Sequence, residues 1–120
     1  MSAGTDRIVH GLVSGRVQGV YYRASFQREC EARGLVGWVR NLHDGRVEFR
    51  IRGSEDAVDA ALQWARSGPP AARVEGLETW LVEAADDELS GDAMRVLATA
   101  SRPVGDGVRE GGGRERRSEP

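Results

Sequence analysis

Gly15-Arg16-Val17-Gln18-Gly19-Val20-Tyr21-Tyr22-Arg23 joins an apolar, β-branched run to a stretch of helical periodicity. Two glycines four residues apart let the backbone bend tightly and take positive φ, so these nine residues read as a strand-to-helix loop. Successive amides in such a loop can converge into an anion-binding nest. The helix behind it adds free N–H groups and the positive end of its dipole. Arg23, in the first helical turn, carries a planar fork of donors suited to phosphate oxygens. Taken alone, the stretch fits either a phosphate cradle with a guanidinium lid or an ordinary tight turn with a surface arginine.

Working outward, Ile8 to Val13 reads as a first strand, although His10 and Gly11 interrupt its alternation. On the other side Tyr22, Phe26 and Cys30 recur every four residues and make the inward stripe of a helix, with Arg28, Glu29, Glu31 and Arg33 on its wet side. Gly34 follows where a helix C-cap needs positive φ. Cys30 belongs to the core in this reading. Val36 to Leu42 is a second strand, and Asp44-Gly45 is a hairpin signal. Beyond it Val47, Phe49 and Ile51 alternate with Arg46, Glu48, Arg50 and Arg52, which predicts one buried and one wet face. Ser54 is placed to cap a second helix with Glu55 and Asp56 in its first turn. Val58, Ala61, Leu62 and Ala65 give that helix its apolar stripe. Gly68-Pro69-Pro70 ends it, Val74 to Val82 is the next strand, Asp86-Asp87-Glu88 an acidic turn, and Ala93 to Ala98 a short last strand.

The order β-α-β-β-α-β with a short final strand predicts an α+β, ferredoxin-like sandwich: one antiparallel sheet with two helices on one face. Residues 1–6 read as a frayed terminus, 7–99 as the domain and 100–120 as a disordered tail rich in Gly, Arg, Glu and Pro.

The inventory narrows the chemistry. A net charge of −2 over 120 residues argues against nonspecific nucleic-acid binding. All 17 basic residues are arginine, which removes a lysine nucleophile, a Schiff base and a Walker-type lysine. The single cysteine, Cys30, admits no intrachain disulfide, and with no apolar run long enough for a membrane span the expected home is the cytoplasm. His10 lies within a strand and His43 in a hairpin turn, and two separate histidines make no metal site. Asp44 is explained by its turn. An enzyme built from this chain must work with amides, an arginine and neutral polar groups, without metal or cofactor.

Gly15 to Arg23 fits the pattern G-x-V-Q-G-V-x-F/Y-R, and Gly37 to Glu48 fits G-x-V-x-N-x-x-D-G-x-V-E, both without a gap. With a third segment, Gly68-Pro69-Pro70-Ala71-Ala72-Arg73-Val74, these motifs resemble the acylphosphatases, small metal-free hydrolases. The resemblance covers roughly residues 6 to 98. It implies the same sandwich fold and hydrolysis of the carboxyl–phosphate anhydride of a small acyl phosphate by a monomer. It also implies that Arg23 binds phosphate, that Asn41 positions the attacking water, and that Gln18, Gly19, Val20, Tyr21 and Tyr22 form the phosphate cradle. The alternative within the same family is a catalytically silent phosphate-binding or regulatory module. RNA-recognition domains share the element order, but they display stacking aromatics on the central strands. Here the first strand has none, and the third has only Phe49 on its apolar face.

Overall fold

The first helix begins at Tyr22, directly after the glycine loop, and the chain before it is extended from Asp6 to Arg16. The computed structural model describes residues 6–83 and 93–101. Residues 1–5 of the expected frayed terminus, the acidic turn Asp86-Asp87-Glu88 and residues 102–120 of the expected tail lie outside the described residues. The elements are β1 (Asp6–Arg16), α1 (Tyr22–Ala32), β2 (Val36–Asn41), β3 (Val47–Ser54), α2 (Glu55–Ala65), β4 (Arg73–Leu81) and β5 (Met94–Val96). They build one five-stranded sheet in the order β4-β1-β3-β2-β5. The four longer strands pair antiparallel, as the sequence predicts. The three-residue β5 runs parallel to β2 at the edge, so the sheet is mixed. That parallel alignment continues beyond β5 to Ala100, whose N–H donates to Asn41 O at 3.1 Å.

Both helices end and begin where their residues dictate. Gly34 takes φ +74° after α1. The Ser54 hydroxyl accepts the Ala57 N–H at 3.2 Å at the start of α2. The core lies between helices and sheet. Tyr22, Phe26 and Cys30 of α1 and Val58, Ala61 and Ala65 of α2 pack on Val9, Val13, Val39, Val47, Phe49 and Ile51. Phe26 and Phe49 pack with tilted rings at 4.6 Å between ring centres, and full burial of each such side chain contributes about 1.5–3 kcal/mol. Gly11 breaks the alternation of β1 because a Cβ there would lie 2.2 Å from the Phe49 ring. Burial pushes the Cys30 thiol up to about 12, helped by the charge of Glu29, which keeps it protonated within the core.

The helix-free face of the sheet departs from the expected wet face. Glu48 is fully buried and His10 almost so. Glu48 Oε2 accepts from His10 Nε2 at 2.7 Å, and its Oε1 accepts from Arg40 Nε at 2.7 Å. Arg50 Nε donates to His10 Nδ1 at 3.0 Å. Nδ1 is therefore an acceptor, and the imidazole is neutral with its proton on Nε2. Trp80 stacks on the imidazole at 5.0 Å, Trp38 meets it edge-on, and the Arg40 guanidinium lies 5.0 Å from the Trp38 ring centre. Burial pushes the Glu48 carboxyl up, but the hydrogen bond from His10 and the hydrogen bond and charge of Arg40 outweigh it and hold the group below the usual carboxylate range. Strand alternation cannot show this, because the partners come from three strands.

Candidate active site

β1 and β2 both run antiparallel to β3, so they point the same way and finish at the same end of the sheet. Val13 and Asn41 both pair with Val47. Residues in one row across a sheet share a face. Val13 and Val47 are buried in the core beneath the helices. The Asn41 side chain thus sits on the helix side, at the end of the sheet where the chain leaves β1 for the glycine loop.

Three sequence-distant segments meet there. At the β4 side, a bulge between Ser14 and Gly15 shifts the register, Gly15 pairs with Val74, and Arg16 pairs with Arg73. Gly15 takes φ +118°, and a Cβ would lie 2.2 Å from Arg73 O, so only glycine lets the strands approach this closely. Gly68, opening the third motif, packs against the Tyr22 ring. At the β2 side, Gln18 Nε2 donates to Leu42 O at 2.7 Å and to Arg46 O at 2.9 Å. Underneath, Val17 and Tyr22 are buried, and Val20 packs on the core. The Tyr22 hydroxyl donates to Ala65 O at 2.7 Å, and burial pushes its pKa well above the ordinary phenol value. The side chains of Gln18, Val20 and Tyr22 are thus committed to the protein, and these residues can serve a ligand through their amides.

Those amides are open. Gly19 and Tyr21 take positive φ, +75° and +66°, the kind of left-handed turn from which N–H nests are made. Tyr21 is the N-cap of α1, has no side-chain cap bond, and exposes its ring. The first intrahelical bond runs from Ser25 N–H to Tyr21 O at 3.0 Å, which leaves the N–H groups of Tyr22, Arg23 and Ala24 as the unpaired first turn of a helix. Among the described residues, no protein acceptor takes a hydrogen bond from the amides of Gly19, Val20 or Tyr21. No acidic residue stands in the first turn of α1 to compete for the positive end of its dipole.

The two side chains expected to do chemistry are also without partners. Arg23 is half-buried and makes no hydrogen bond or ion pair among the described residues. Asn41 Oδ1 is buried and accepts nothing. A buried amide oxygen left unmade costs about 1–3 kcal/mol. The site thus combines unpaired amide donors, one guanidinium and one unpaired carboxamide oxygen. An anion with several equatorial oxygens fits the donors, and a hydrogen-bond donor such as water fits the acceptor. The opposite end of the sheet holds a cleft of about 260 Å³ lined by Asp6, Arg7, Ile8, Glu55, Leu81, Val82 and Glu83. Its three carboxylates against one arginine suit no anion. Among the described residues no three His, Cys, Asp or Glu side chains gather as a metal site.

The acylphosphatase family model matches residues 9–91. The chain is 61% identical over 70 residues to an acylphosphatase of Methylococcus capsulatus, covering 58% of this chain and 76% of that protein. It is 53% identical over 76 residues to one from Anaeromyxobacter dehalogenans, covering 63% and 82%. Among solved structures, an acylphosphatase from Coxiella burnetii superposes with a TM-score of 0.72 at 32% identity, covering 81% of this chain and all of that one.

Proposed function

The chain belongs to the acylphosphatase family, hydrolases that split acyl phosphates, and from that premise we propose how its own residues carry the reaction. The amides of Gln18, Gly19, Val20, Tyr21 and Tyr22 hold the phosphoryl oxygens, and Arg23 closes over them with its guanidinium. Asn41 Oδ1 accepts a hydrogen bond from the attacking water and aims it at phosphorus. The observation that carries this reading is the buried, unpartnered Asn41 Oδ1 beside a row of free amides.

The kit suits the reaction. The leaving group is a carboxylate, whose conjugate acid has a pKa of about 4, so no general acid is needed. Phosphoryl transfer is largely dissociative, and charge spreads over the three equatorial oxygens. Donors fixed by Val17, Val20, Gln18 and Tyr22 meet that charge without reorganising. The water needs orientation more than deprotonation, and a neutral carboxamide supplies orientation alone. The enzyme in this reading works as a monomer on small anions in the cytoplasm, consistent with a net charge of −2 and one buried thiol. No helix among the described residues is long and apolar enough to cross a membrane.

The test measures phosphate release from a generic acyl phosphate beside the dissociation constant for inorganic phosphate. Asn41→Ala should lower kcat by about 10²-fold or more while phosphate still binds. Arg23→Ala should weaken phosphate binding and turnover together. If Asn41→Ala abolishes phosphate binding while Arg23→Ala spares it, the roles are wrongly assigned.

A further inference from the structure

We propose that the Gln18 side chain is a positioning residue that sets the distance between the phosphate cradle and the water-orienting Asn41. The proposal rests on the roles just assigned to the loop amides and Asn41. Its ground is a pair of hydrogen bonds that phosphate binding does not explain. Gln18 Nε2 spends both its hydrogens on the neck of the β2–β3 hairpin, on Leu42 O at 2.7 Å and on Arg46 O at 2.9 Å. Leu42 is bonded directly to Asn41, so the carboxamide spans from the loop to the residue next to the proposed water site.

The hairpin does not need this help to close. Leu42 N–H donates to Arg46 O at 2.8 Å, and Gly45 N–H donates to Leu42 O at 3.1 Å. The Asp44 carboxylate takes the Arg46 N–H at 3.0 Å and the Arg46 guanidinium as well, and that pairing holds Asp44 below its usual range. Each carbonyl that Gln18 reaches therefore already has one donor. The loop, for its part, rests on Val17, Val20 and Tyr22, which anchor it to the core and to α2. What neither set of contacts fixes is the offset between loop and hairpin. The Gln18 carboxamide fixes it, and among the described residues it is the loop side chain that hydrogen-bonds across this gap. Alignment of water and phosphorus depends on that offset, and a displacement of about 1 Å can cost on the order of 10²-fold in rate.

The experiment is a double-mutant cycle between Gln18→Met and Asn41→Ala, with kcat, the inorganic phosphate dissociation constant and the urea midpoint measured for each protein. Methionine keeps the length and bulk of glutamine, keeps the backbone amide for the cradle, and removes the donors. Because both carbonyls retain a second donor, the urea midpoint should hardly move. Gln18→Met should lower kcat by about 10-fold or more with phosphate affinity nearly unchanged. In the Asn41→Ala background the same change should alter kcat by no more than about twofold, since a positioned partner is no longer present to lose. Independent, multiplying losses would overturn the coupling, and so would a phosphate affinity that falls in step with kcat. Full turnover by Asn41→Ala alone would instead overturn the underlying assignment of the water.

Discussion

Two polar regions flank the same sheet, and they are built on opposite principles. On the helix-free face, His10, Glu48, Arg40 and Arg50 are deeply or partly buried and engaged with one another, with Trp38 and Trp80 around the imidazole. At the end of β1 and β2, the loop amides, Arg23 and Asn41 Oδ1 are left without protein acceptors or donors among the described residues. A satisfied buried network stabilises the fold and has nothing left to offer a ligand. An unsatisfied one costs stability and is ready to bind. Charge and burial alone do not separate the proposed site from the buried network; the pattern of made and unmade hydrogen bonds does.

The contrast breaks most easily at Arg23. Arg23→Ala should reduce turnover by roughly 10³-fold, by analogy with other guanidiniums that stabilise a transferring phosphoryl group, yet leave the denaturation midpoint where it was. A variant that loses stability in proportion would mean Arg23 is a strut. Glu48→Gln should do the reverse. Removing the charge that Arg40 and His10 share costs about 3 kcal/mol of stability, and kcat of the protein still folded should match the parent. Equal damage to both quantities would erase the distinction between the two regions. The smallest effect is the acid limb of stability. Glu48 titrates lower in the folded chain than its ordinary value of about 4.3, so the unfolded state binds the extra proton. Its contribution is present above about pH 4 and is lost as pH falls further. Urea midpoints followed downward from pH 6 should decline more steeply for the parent than for Glu48→Gln, and parallel curves would show that the carboxyl is not the titrating group.

How far these regions were legible in the sequence follows the same division. Ser54, Gly34 and Asp44-Gly45 act through local backbone chemistry and announce helix ends and a hairpin on their own. The glycine spacing from Gly15 to Arg23 announces a strand-to-helix loop, but those residues alone leave an ordinary tight turn open, and the resemblance carried by Gly37 to Glu48 is what favours a phosphate cradle. Glu48 read as solvent-facing because alternation reports only its own strand, while His10 and Arg40 reach it from β1 and β2. β5 was placed, but its parallel pairing with β2 was not, since three residues carry no periodicity. The Gln18 bonds were invisible for a similar reason: their acceptors are backbone carbonyls, and a carbonyl has no letter in the sequence.

The convergence of Gly15 to Arg23, Asn41 to Arg46 and Gly68 to Val74 at one sheet end has a consequence in time. Arg16 faces Arg73 only when β4, which follows the hairpin and α2 in the chain, has come back to β1. Pairings so distant along the chain form late and dominate the folding rate. A chain that stops short of β4 lacks the strand that Gly15 and Arg16 pair with. The first catalytic turnover after refolding should therefore not precede the pairing of β4 with β1, which makes activity itself a clock for that step.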